Sequence, residues 1–457
     1  MLKTNPTTPL AELRPVPDNP LPYLSRLRAA RDSDAGPEIL RDAGGAVTRV
    51  VLGPKWLMPE MVFVSSPTGA RDLLHQRDSN ADRSSLPMIV ELRRLLGGNL
   101  INLPHVQWLP RRRALQPLFS KQRVTDMTDP IIAAATEVSR NWADGGEVDL
   151  AQETRTMTVR ALSRSFLGVD LAEEAESIGA SMHHAFNWIA ARALTPARLP
   201  MWVPTPAQRR ARRGAEVLHR HAAAVIKACR EDPTLQAPAV RALMNARDPD
   251  TGTTLSDNDI CDELVMFMFG GHDTISTTLT YTLWQLGHHP DIQKRVAEES
   301  RALGDRPLTA DDRPHLAYTT QVIHETLRLC PPVPVLSRMV HRDIDVDGYR
   351  VTAGTFALVS LNALHRDAEA WEEPLVFDPD RFSSERFASI DRWQYLPFSA
   401  GPHSCMGDHF AMLEAILALA TIARDVEITC ETTDFPTKTA LLKTPAGAVP
   451  ARVRPRN

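Results

Sequence analysis

Cys405 lies in a ten-residue loop segment, and as a thiolate it would be a soft, electron-rich ligand for a metal ion, although a single cysteine in such a loop is usually structural. The segment runs from Phe398 to Gly407 and reads F-S-A-G-P-H-S-C-M-G. Gly401 and Gly407 suit a tight turn, because glycine tolerates unusual dihedral angles and lacks a Cβ that would clash with a ligand. A helix is predicted to follow, over residues 408–424, and its positive N-terminal end favours a thiolate at Cys405. The five cysteines include no C-x-x-C pair, which is typical of neither a disulfide framework nor a zinc ribbon.

A second group of reactive side chains lies in the middle of a long predicted helix, where Gly270 and Gly271 precede Asp273 and Thr274. Each glycine inside a helix costs about 1 kcal/mol relative to alanine, and room for a ligand beside the backbone would compensate for that cost. A neighbouring acid and alcohol are able to relay protons to such a ligand. Taken alone, however, the fragment is more typical of a kinked helix with a solvent-exposed polar pair.

Two further patterns pair oppositely charged or complementary side chains. Glu325 and Arg328 are spaced i,i+3 on a predicted helix, and Arg381 follows in the segment P-D-R-F. Such pairs usually lie on a solvated surface and stabilise a helix only slightly. Trp108 and Arg112 share one face of another predicted helix, where an indole N–H and a guanidinium are able to bind one carboxylate. A Trp packed in the core beside a basic patch is the alternative interpretation.

In their order along the chain, from Trp108 to Cys405, the four motifs resemble those of the cytochrome P-450 family. The resemblance implies that Cys405 is the axial ligand of a haem iron and that Asp273 and Thr274 supply protons for the activation of oxygen. It also implies a buried charge network formed by Glu325, Arg328 and Arg381. The residues expected to contact the haem are Trp108, Arg112, Arg338, His403, Phe398, Gly401, Gly407, Gly270 and Gly271.

The sequence departs from the family pattern at His403, where the family usually has an arginine that binds a haem propionate. Histidine is still able to donate a hydrogen bond, but its charge depends on its surroundings. Pro110, inside the motif of Trp108 and Arg112, leaves the start of that helix open because proline lacks a backbone N–H.

The family's chemistry implies a haem-thiolate monooxygenase that contains haem b and inserts one oxygen atom from O2 into a hydrophobic substrate such as a lipid, terpenoid, steroid or polyketide. The sequence has no visible flavin or iron–sulfur segment, so electrons from NAD(P)H are expected to arrive through a separate ferredoxin and ferredoxin reductase. A haem-thiolate sensor is disfavoured by Asp273 and Thr274. A peroxide-driven hydroxylase or an isomerase on the same fold is the nearer alternative. The basic residues 111–113, Lys121 and Arg123 are either a docking face for an acidic carrier or an ordinary solvated surface.

Apolar residues at positions where the family lines its pocket favour a hydrophobic substrate, although the same residues would also suit a core. The candidate pocket residues are Ile89, Leu100, Ile101, Trp188, Met266, Phe269, Val335 and Leu336. Residues 194–202 are expected to form a lip over this pocket.

Length and composition set the frame that positions these residues. The chain has 457 residues, is 43% hydrophobic and carries a formal charge of −4, which gives no reason to expect a nucleic-acid partner. Helices are predicted over residues 131–145, 150–167, 207–229, 257–287 and 291–303, and strands over 47–52 and 61–64. No run of 18 apolar residues occurs, so a soluble, cytoplasmic protein without a membrane anchor is expected.

The expected fold is therefore mainly α with a small β-rich region, as in the triangular-prism helical domain of the P-450 family. One domain is expected over 1–457, and the protein is expected to be a monomer. Its parts are a Pro-rich, extended lead-in over 1–45, β-rich parts over 46–75 and 333–397, a helical part over 100–330, and the cysteine loop with its following helix over 398–424.

Overall fold

The computed structural model describes residues 9–32, 34–54, 58–195, 199–247 and 252–456. Residues 1–8 of the predicted lead-in and residues 196–198 of the predicted lip lie outside this range. The chain divides into two compact units. The first comprises residues 1–90, 333–376 and 389–405, and the second comprises residues 91–332, 377–388 and 406–457.

Helices dominate the described part of the chain, as the sequence predicts. The α-helices are α1 Tyr23–Arg31, α2 Gly36–Gly44, α3 Pro67–Leu74, α4 Pro87–Leu96, α5 His105–Leu115, α6 Lys121–Thr125, α7 Thr128–Asn141, α8 Leu150–Leu162, α9 Ala175–Leu194, α10 Pro206–Glu231, α11 Pro238–Asn245, α12 Asp257–His288, α13 Pro290–Arg301, α14 Ala317–Leu329, α15 Leu361–His365, α16 Ser384–Ser389 and α17 Asp408–Asp425.

Short strands make up the smaller part of the fold. They are β1 Arg14–Pro15, β2 Val47–Val50, β3 Met61–Val64, β4 Ala81–Asp82, β5 Gly146–Asp149, β6 Val335–Val340, β7 Ile344–Val346, β8 Tyr349–Val351, β9 Phe356–Ser360, β10 Val426–Thr429, β11 Thr437–Thr439, β12 Lys443–Pro445 and β13 Pro450–Pro455.

The first unit contains a mixed five-stranded sheet in the order β2-β3-β9-β6-β4. β3 and β9 are parallel and align Val64 with Val359, whereas β9 and β6 are antiparallel and align Ala357 with Arg338. Val64 and Val359 are fully buried, together with Leu73 of α3. The apolar face of this sheet therefore forms the core of the first unit.

The second unit is built around α12, a helix of 32 residues. A capping box begins it: the Ser256 hydroxyl accepts a hydrogen bond from the Asp259 N–H, and the Asp259 carboxylate accepts one from the Ser256 N–H. Its apolar residues 264–269 are buried except Met266, which is half-buried. A helix that is apolar on most faces belongs in the interior of a large protein, and α12 packs against α8, α10 and α14.

The five predicted helices correspond to α7, α8, α10, α12 and α13, and the predicted helix at 408–424 is α17. The predicted strands are confirmed as β2 and β3, although β2 ends at Val50. The prediction of an extended lead-in over residues 1–45 is wrong, because α1 and α2 lie within it. Proline suits the start of a helix, where no backbone N–H is needed, and Pro22 and Pro37 both stand at such starts.

Candidate functional site

The loop that carries Cys405 is folded back on itself within the first unit. The Cys405 backbone N–H donates a hydrogen bond of 2.9 Å to the Phe398 carbonyl. Just before the loop, the Leu396 N–H donates to Nε2 of the buried His365 at 2.9 Å. The Cys405 side chain itself is exposed, and none of the five cysteines, all of which lie in the described part of the chain, forms a disulfide. The loop therefore fixes the backbone around Cys405 while it leaves the sulfur open to a ligand.

Gly401 is required by the course of this loop. Its φ is +74°, in the region that favours glycine. A Cβ at this position would lie 2.4 Å from the backbone carbonyl oxygen of Leu74 at the end of α3. Gly407, in the second unit, is less constrained, because a Cβ there would meet the Phe119 ring at 3.8 Å, an ordinary contact. The structure thus explains the glycine at position 401 by its backbone conformation and its close approach to Leu74. That Gly401 and Gly407 contact the haem stays a prediction.

His403 has a protein partner that the sequence did not indicate. Its Nε2 lies 3.1 Å from a carboxylate oxygen of Asp78, a residue of the same unit. Burial lowers the pKa of His403 to about 4; Arg83 and Arg338 also lower it, and Asp78 opposes this shift. The imidazole is therefore neutral near pH 7 and donates its Nε2 proton to Asp78. Its predicted contact with a propionate stays a prediction.

Arg338 is the residue of the first unit whose surroundings indicate whether this unit suits a haem. The side chain lies on β6 and is only 5% exposed. Burial lowers its pKa to about 10, with Asp78 and Asp82 opposing, so the guanidinium is charged at neutral pH. Nη1 donates to the Ser337 carbonyl at 2.9 Å, whereas the buried Nη2 has no hydrogen-bond partner among the described residues. A buried cationic donor of this kind fits an anionic ligand group, such as the propionate of a haem.

In the second unit, Trp108 and Arg112 lie on one face of α5, as their spacing predicts. The Arg112 guanidinium carbon lies 5.5 Å from the centre of the Trp108 ring, a cation–π distance. Trp108 is 2% exposed. The helix begins at His105 and continues through Pro110, which answers the question that this proline raises.

The neighbouring Arg111 does not belong to an exposed basic surface, so that part of the prediction is wrong. Its side chain is 12% exposed and donates to Glu263 and to Asp259, both at 3.0 Å. Arg113 is exposed, and so are Lys121 and Arg123. The basic surface is therefore smaller than the sequence suggests, because one of its arginines pairs with acids of α12.

Asp273 and Thr274 lie side by side on α12, each with a defined partner. The Thr274 hydroxyl donates a hydrogen bond of 2.7 Å to the Gly270 carbonyl, which leaves the lone pairs of its oxygen able to accept from a water or ligand. A carboxylate oxygen of Asp273 lies 3.1 Å from Nδ1 of the buried His272.

The charge state of Asp273 follows from its neighbours. Burial acts to raise its pKa, but interaction with His272, Arg155 and His183 outweighs burial, so the pKa lies below its usual value. Asp273 is therefore ionised at neutral pH, and its side chain keeps 16% exposure. An ionised, partly exposed carboxylate is able to take a proton from solvent and pass it on.

The two glycines before this pair differ in their surroundings. A Cβ on Gly271 would lie 2.7 Å from a methyl group of Leu162, so close packing against α8 accounts for this glycine. A Cβ on Gly270 would meet only the Met266 sulfur, at 3.7 Å. The open space that the sequence predicts beside the helix is thus found at Gly270.

Glu325, Arg328 and Arg381 are brought together within the second unit as a buried network. The Arg328 guanidinium donates to both carboxylate oxygens of Glu325, at 2.7 and 2.8 Å, and both side chains are fully buried. Arg381 Nε lies 3.4 Å from Glu325, which also accepts from the Asp378 N–H at 2.9 Å. The alternative of a surface pair is excluded by this burial.

The candidate pocket residues differ in exposure. Ile89 is 8% exposed and belongs to the first unit, as do the half-buried Val335 and Leu336. In the second unit Leu100, Trp188 and Phe269 are buried, and Ile101 and Met266 are half-buried. The Phe269 ring packs on Phe186 of α9 at 4.4 Å. Their role as pocket lining stays a prediction.

Comparison with known proteins identifies the family. The family model described as Cytochrome P450 matches residues 38–449. The chain is 31% identical to a pentalenene oxygenase of Streptomyces avermitilis, over 74% of this chain and 76% of the relative. It is also 31% identical to a cyclooctat-9-en-7-ol 5-monooxygenase of Streptomyces melanosporofaciens, over 72% of each chain.

The fold has a close counterpart among solved structures. The heme domain of cytochrome P450DA superposes with a TM-score of 0.85, covering 97% of this chain and 98% of that chain at 24% identity. The expected mainly helical fold of this family is therefore confirmed. Among the described residues, no helix is long and apolar enough to cross a membrane.

Proposed function

Because this chain belongs to the cytochrome P450 family and is a P450 monooxygenase, we propose that it oxygenates a cyclic, largely hydrocarbon substrate of the terpenoid class. The names of the two Streptomyces relatives support this class, since they denote pentalenene and a cyclic alkenol. Mostly apolar candidate lining, such as Leu100 and Phe269, suits such a molecule.

Haem b is the cofactor that we propose for this chain. Cys405 would bind its iron as a thiolate; Arg338, and Trp108 with Arg112, would hold its propionates. Haem with a thiolate ligand supplies the activation of O2, because the thiolate pushes electron density that favours O–O cleavage. The buried Nη2 of Arg338 supports this assignment in the first unit, and the exposed Cys405 thiol supports it as well.

The observation that carries the proposed reaction is the arrangement of Asp273 and Thr274. Productive use of O2 needs two protons delivered to the oxygen, and these must come from the protein or from ordered water. The Thr274 hydroxyl is held by the Gly270 carbonyl at 2.7 Å, where it is able to orient a water. The ionised Asp273 replenishes that water from solvent, because its side chain is partly exposed.

For the electron supply we propose a separate ferredoxin and ferredoxin reductase, with electrons from NAD(P)H. The exposed Arg113, Lys121 and Arg123 offer positive charge to an acidic carrier. The working form that we propose is the monomer.

The test is the coupling efficiency, which is product formed per NADPH oxidised, with pentalenene as the first substrate assayed. Thr274→Ala should leave binding and reduction intact and divert electrons to peroxide. Asp273→Asn should slow oxygen consumption and raise its solvent isotope effect. Thr278→Ala is the matched control, because Thr278 lies one turn further along α12 and its hydroxyl donates to the Thr274 carbonyl. If Thr274→Ala and Thr278→Ala couple equally and Asp273→Asn turns over normally, the proton relay is wrong and a peroxide-driven reaction is the better account.

A further inference from the structure

The loop between α4 and α5 is tightly folded by its own polar side chains. Within this loop, residues 97–102, the Asn99 N–H donates to the Asn102 side chain at 2.9 Å. The Asn102 amide donates in turn to the Gly97 carbonyl at 2.8 Å. Asn99 and Asn102 are both buried. The 97–102 loop therefore behaves as one small rigid piece that presents Leu100 and Ile101.

Two adjacent acids of α12 hold the backbone of this piece. A carboxylate oxygen of Asp262 accepts from the Gly98 N–H at 2.8 Å, and one of Glu263 accepts from the Leu100 N–H at 3.2 Å. Gly97 has a φ of +76°, and a Cβ there would lie 2.0 Å from the Asp262 carboxylate. The approach is thus close enough to require glycine at position 97.

Arg111 of α5 binds both the 97–102 loop and Glu263. Its Nη1 donates to the Gly98 carbonyl at 2.9 Å and to Glu263 at 3.0 Å. Glu263 is fully buried, and burial raises its pKa to about 7 although Arg111 opposes the shift. A buried ion pair contributes little stability relative to apolar residues of the same size. The presence of the ion pair of Arg111 and Glu263 is better explained by the backbone of the 97–102 loop, which it holds in place.

Asp262 also binds α10, through His219. Nε2 of His219 lies 3.0 Å from the second carboxylate oxygen of Asp262, and Nδ1 of His219 lies 2.8 Å from the Ala215 carbonyl. One carboxylate therefore joins the 97–102 loop to α10 through α12. A change at Asp262 is expected to loosen both elements at once.

We propose that Asp262 and Glu263 are positioning residues that set which substrates fit, by fixing Leu100 and Ile101 in the wall of the substrate pocket. The proposal rests on the proposed function only in treating these two side chains as pocket lining. Asp262 and Glu263 act through the backbone of the 97–102 loop and not on the reacting atoms.

The experiment uses the haem-loaded protein and its Asp262→Asn and Glu263→Gln variants. The first readout is backbone hydrogen exchange in residues 97–102, expected to rise by about tenfold, since an amide oxygen is a weaker acceptor for the Gly98 and Leu100 N–H groups than a carboxylate oxygen. The second readout is the spectral titration of the haem with imidazole and with the bulky azole clotrimazole. Clotrimazole affinity should change by about fivefold or more while imidazole affinity stays within about twofold, because only the larger ligand reaches the pocket wall.

Asp257→Asn is the matched control, because Asp257 lies on the same helix but pairs with Arg230 at the surface. His219→Gln provides a milder variant if Asp262→Asn folds poorly, and it should raise exchange in the same peptide. Unchanged exchange in Asp262→Asn, Glu263→Gln and His219→Gln overturns the proposal, and so does faster exchange with no change in clotrimazole affinity. A failure of the proposed function would instead appear as uncoupled NADPH use in the unmodified protein, which neither readout measures.

Discussion

The Cys405 loop and the α12 site differ in what holds their reactive groups. In the loop, two constraints on the backbone are local: the Cys405 N–H donates to the Phe398 carbonyl, and Gly401 takes the positive φ that the turn needs. On α12, a regular helix fixes the backbone. Asp273 interacts first with the adjacent His272 and then with Arg155 and His183 of other helices, and Asp262 binds the Gly98 N–H of a distant segment. The Cys405 loop thus combines local turns with contacts to the end of α3 and to Asp78, whereas the acidic side chains of α12 have partners on several other elements.

The largest expected effect is the loss of the buried network. Glu325→Ala should lower the free energy of unfolding by about 3–5 kcal/mol, because it leaves the fully buried Arg328 without its carboxylate. Glu298→Ala is the control, since Glu298 forms an exposed helical pair with Lys294 at 3.6 Å. That variant should lose at most about 0.5 kcal/mol. Equal losses in chemical denaturation would show that burial of the network is energetically unimportant.

Gly270 and Gly271 of α12 should respond differently to a methyl group. Gly271→Ala should destabilise the protein by about 1–3 kcal/mol, because the new methyl group would meet Leu162 at 2.7 Å. Gly270→Ala should be neutral or stabilising by up to about 1 kcal/mol, since the methyl group fits and alanine favours a helix. Chemical denaturation of both variants measures this difference. Destabilisation by Gly270→Ala would contradict the open space at that position.

A smaller effect is expected at His403. His403→Ala removes the donor to the half-buried carboxylate of Asp78 and should weaken haem retention by about 1 kcal/mol. His403→Arg keeps a donor and adds a permanent charge, so it should retain haem as well or better. The rate of haem transfer to apomyoglobin measures the difference. Three equal rates would remove His403 from the haem site.

The smallest expected effect is a pH dependence of the 97–102 loop. Interaction with Asp262 raises the pKa of His219, with burial opposing it, so the charged imidazole favours the folded contact. That stabilisation is complete below the unfolded pKa of about 6.5 and is lost as the pH rises through the higher folded value. Hydrogen exchange of the loop, corrected for its intrinsic pH dependence, should therefore speed up across this range. The dependence should vanish in His219→Gln, and its persistence there would assign it to another group.

Local patterns in the sequence predicted much of this molecule. The long α12 and the helix after Cys405 follow from spacings of a few residues. The buried network of Glu325 with Arg328 is implied only by the family resemblance, because an i,i+3 pair alone is typical of a solvated surface. Contacts between distant segments could not be predicted in this way: His403 and Asp78 are 325 residues apart, and Leu100 and Glu263 are 163 apart.

Some errors had a recognisable physical cause. A high proline content predicts extended chain over residues 1–45, yet proline also starts helices such as α2. The sequence predicts that Arg111 is as exposed as its neighbours, because it lies in an unbroken run of three arginines. On a helix, successive residues face different directions, so Arg111 reaches Glu263 while Arg113 stays exposed. The acid at position 263, just before an apolar run, was the available signal for a buried partner.

We propose that Cys405 is the thiolate ligand of the haem. The spectrum of the ferrous carbon monoxide complex tests this assignment most directly. A thiolate opposite carbon monoxide gives this complex the long-wavelength Soret band of the P450 family, because of the electron density that the sulfur donates. Cys405→Ser should abolish that band, while Cys261→Ser, which changes a half-buried cysteine of α12, should keep it. An unchanged long-wavelength band in Cys405→Ser would contradict the account.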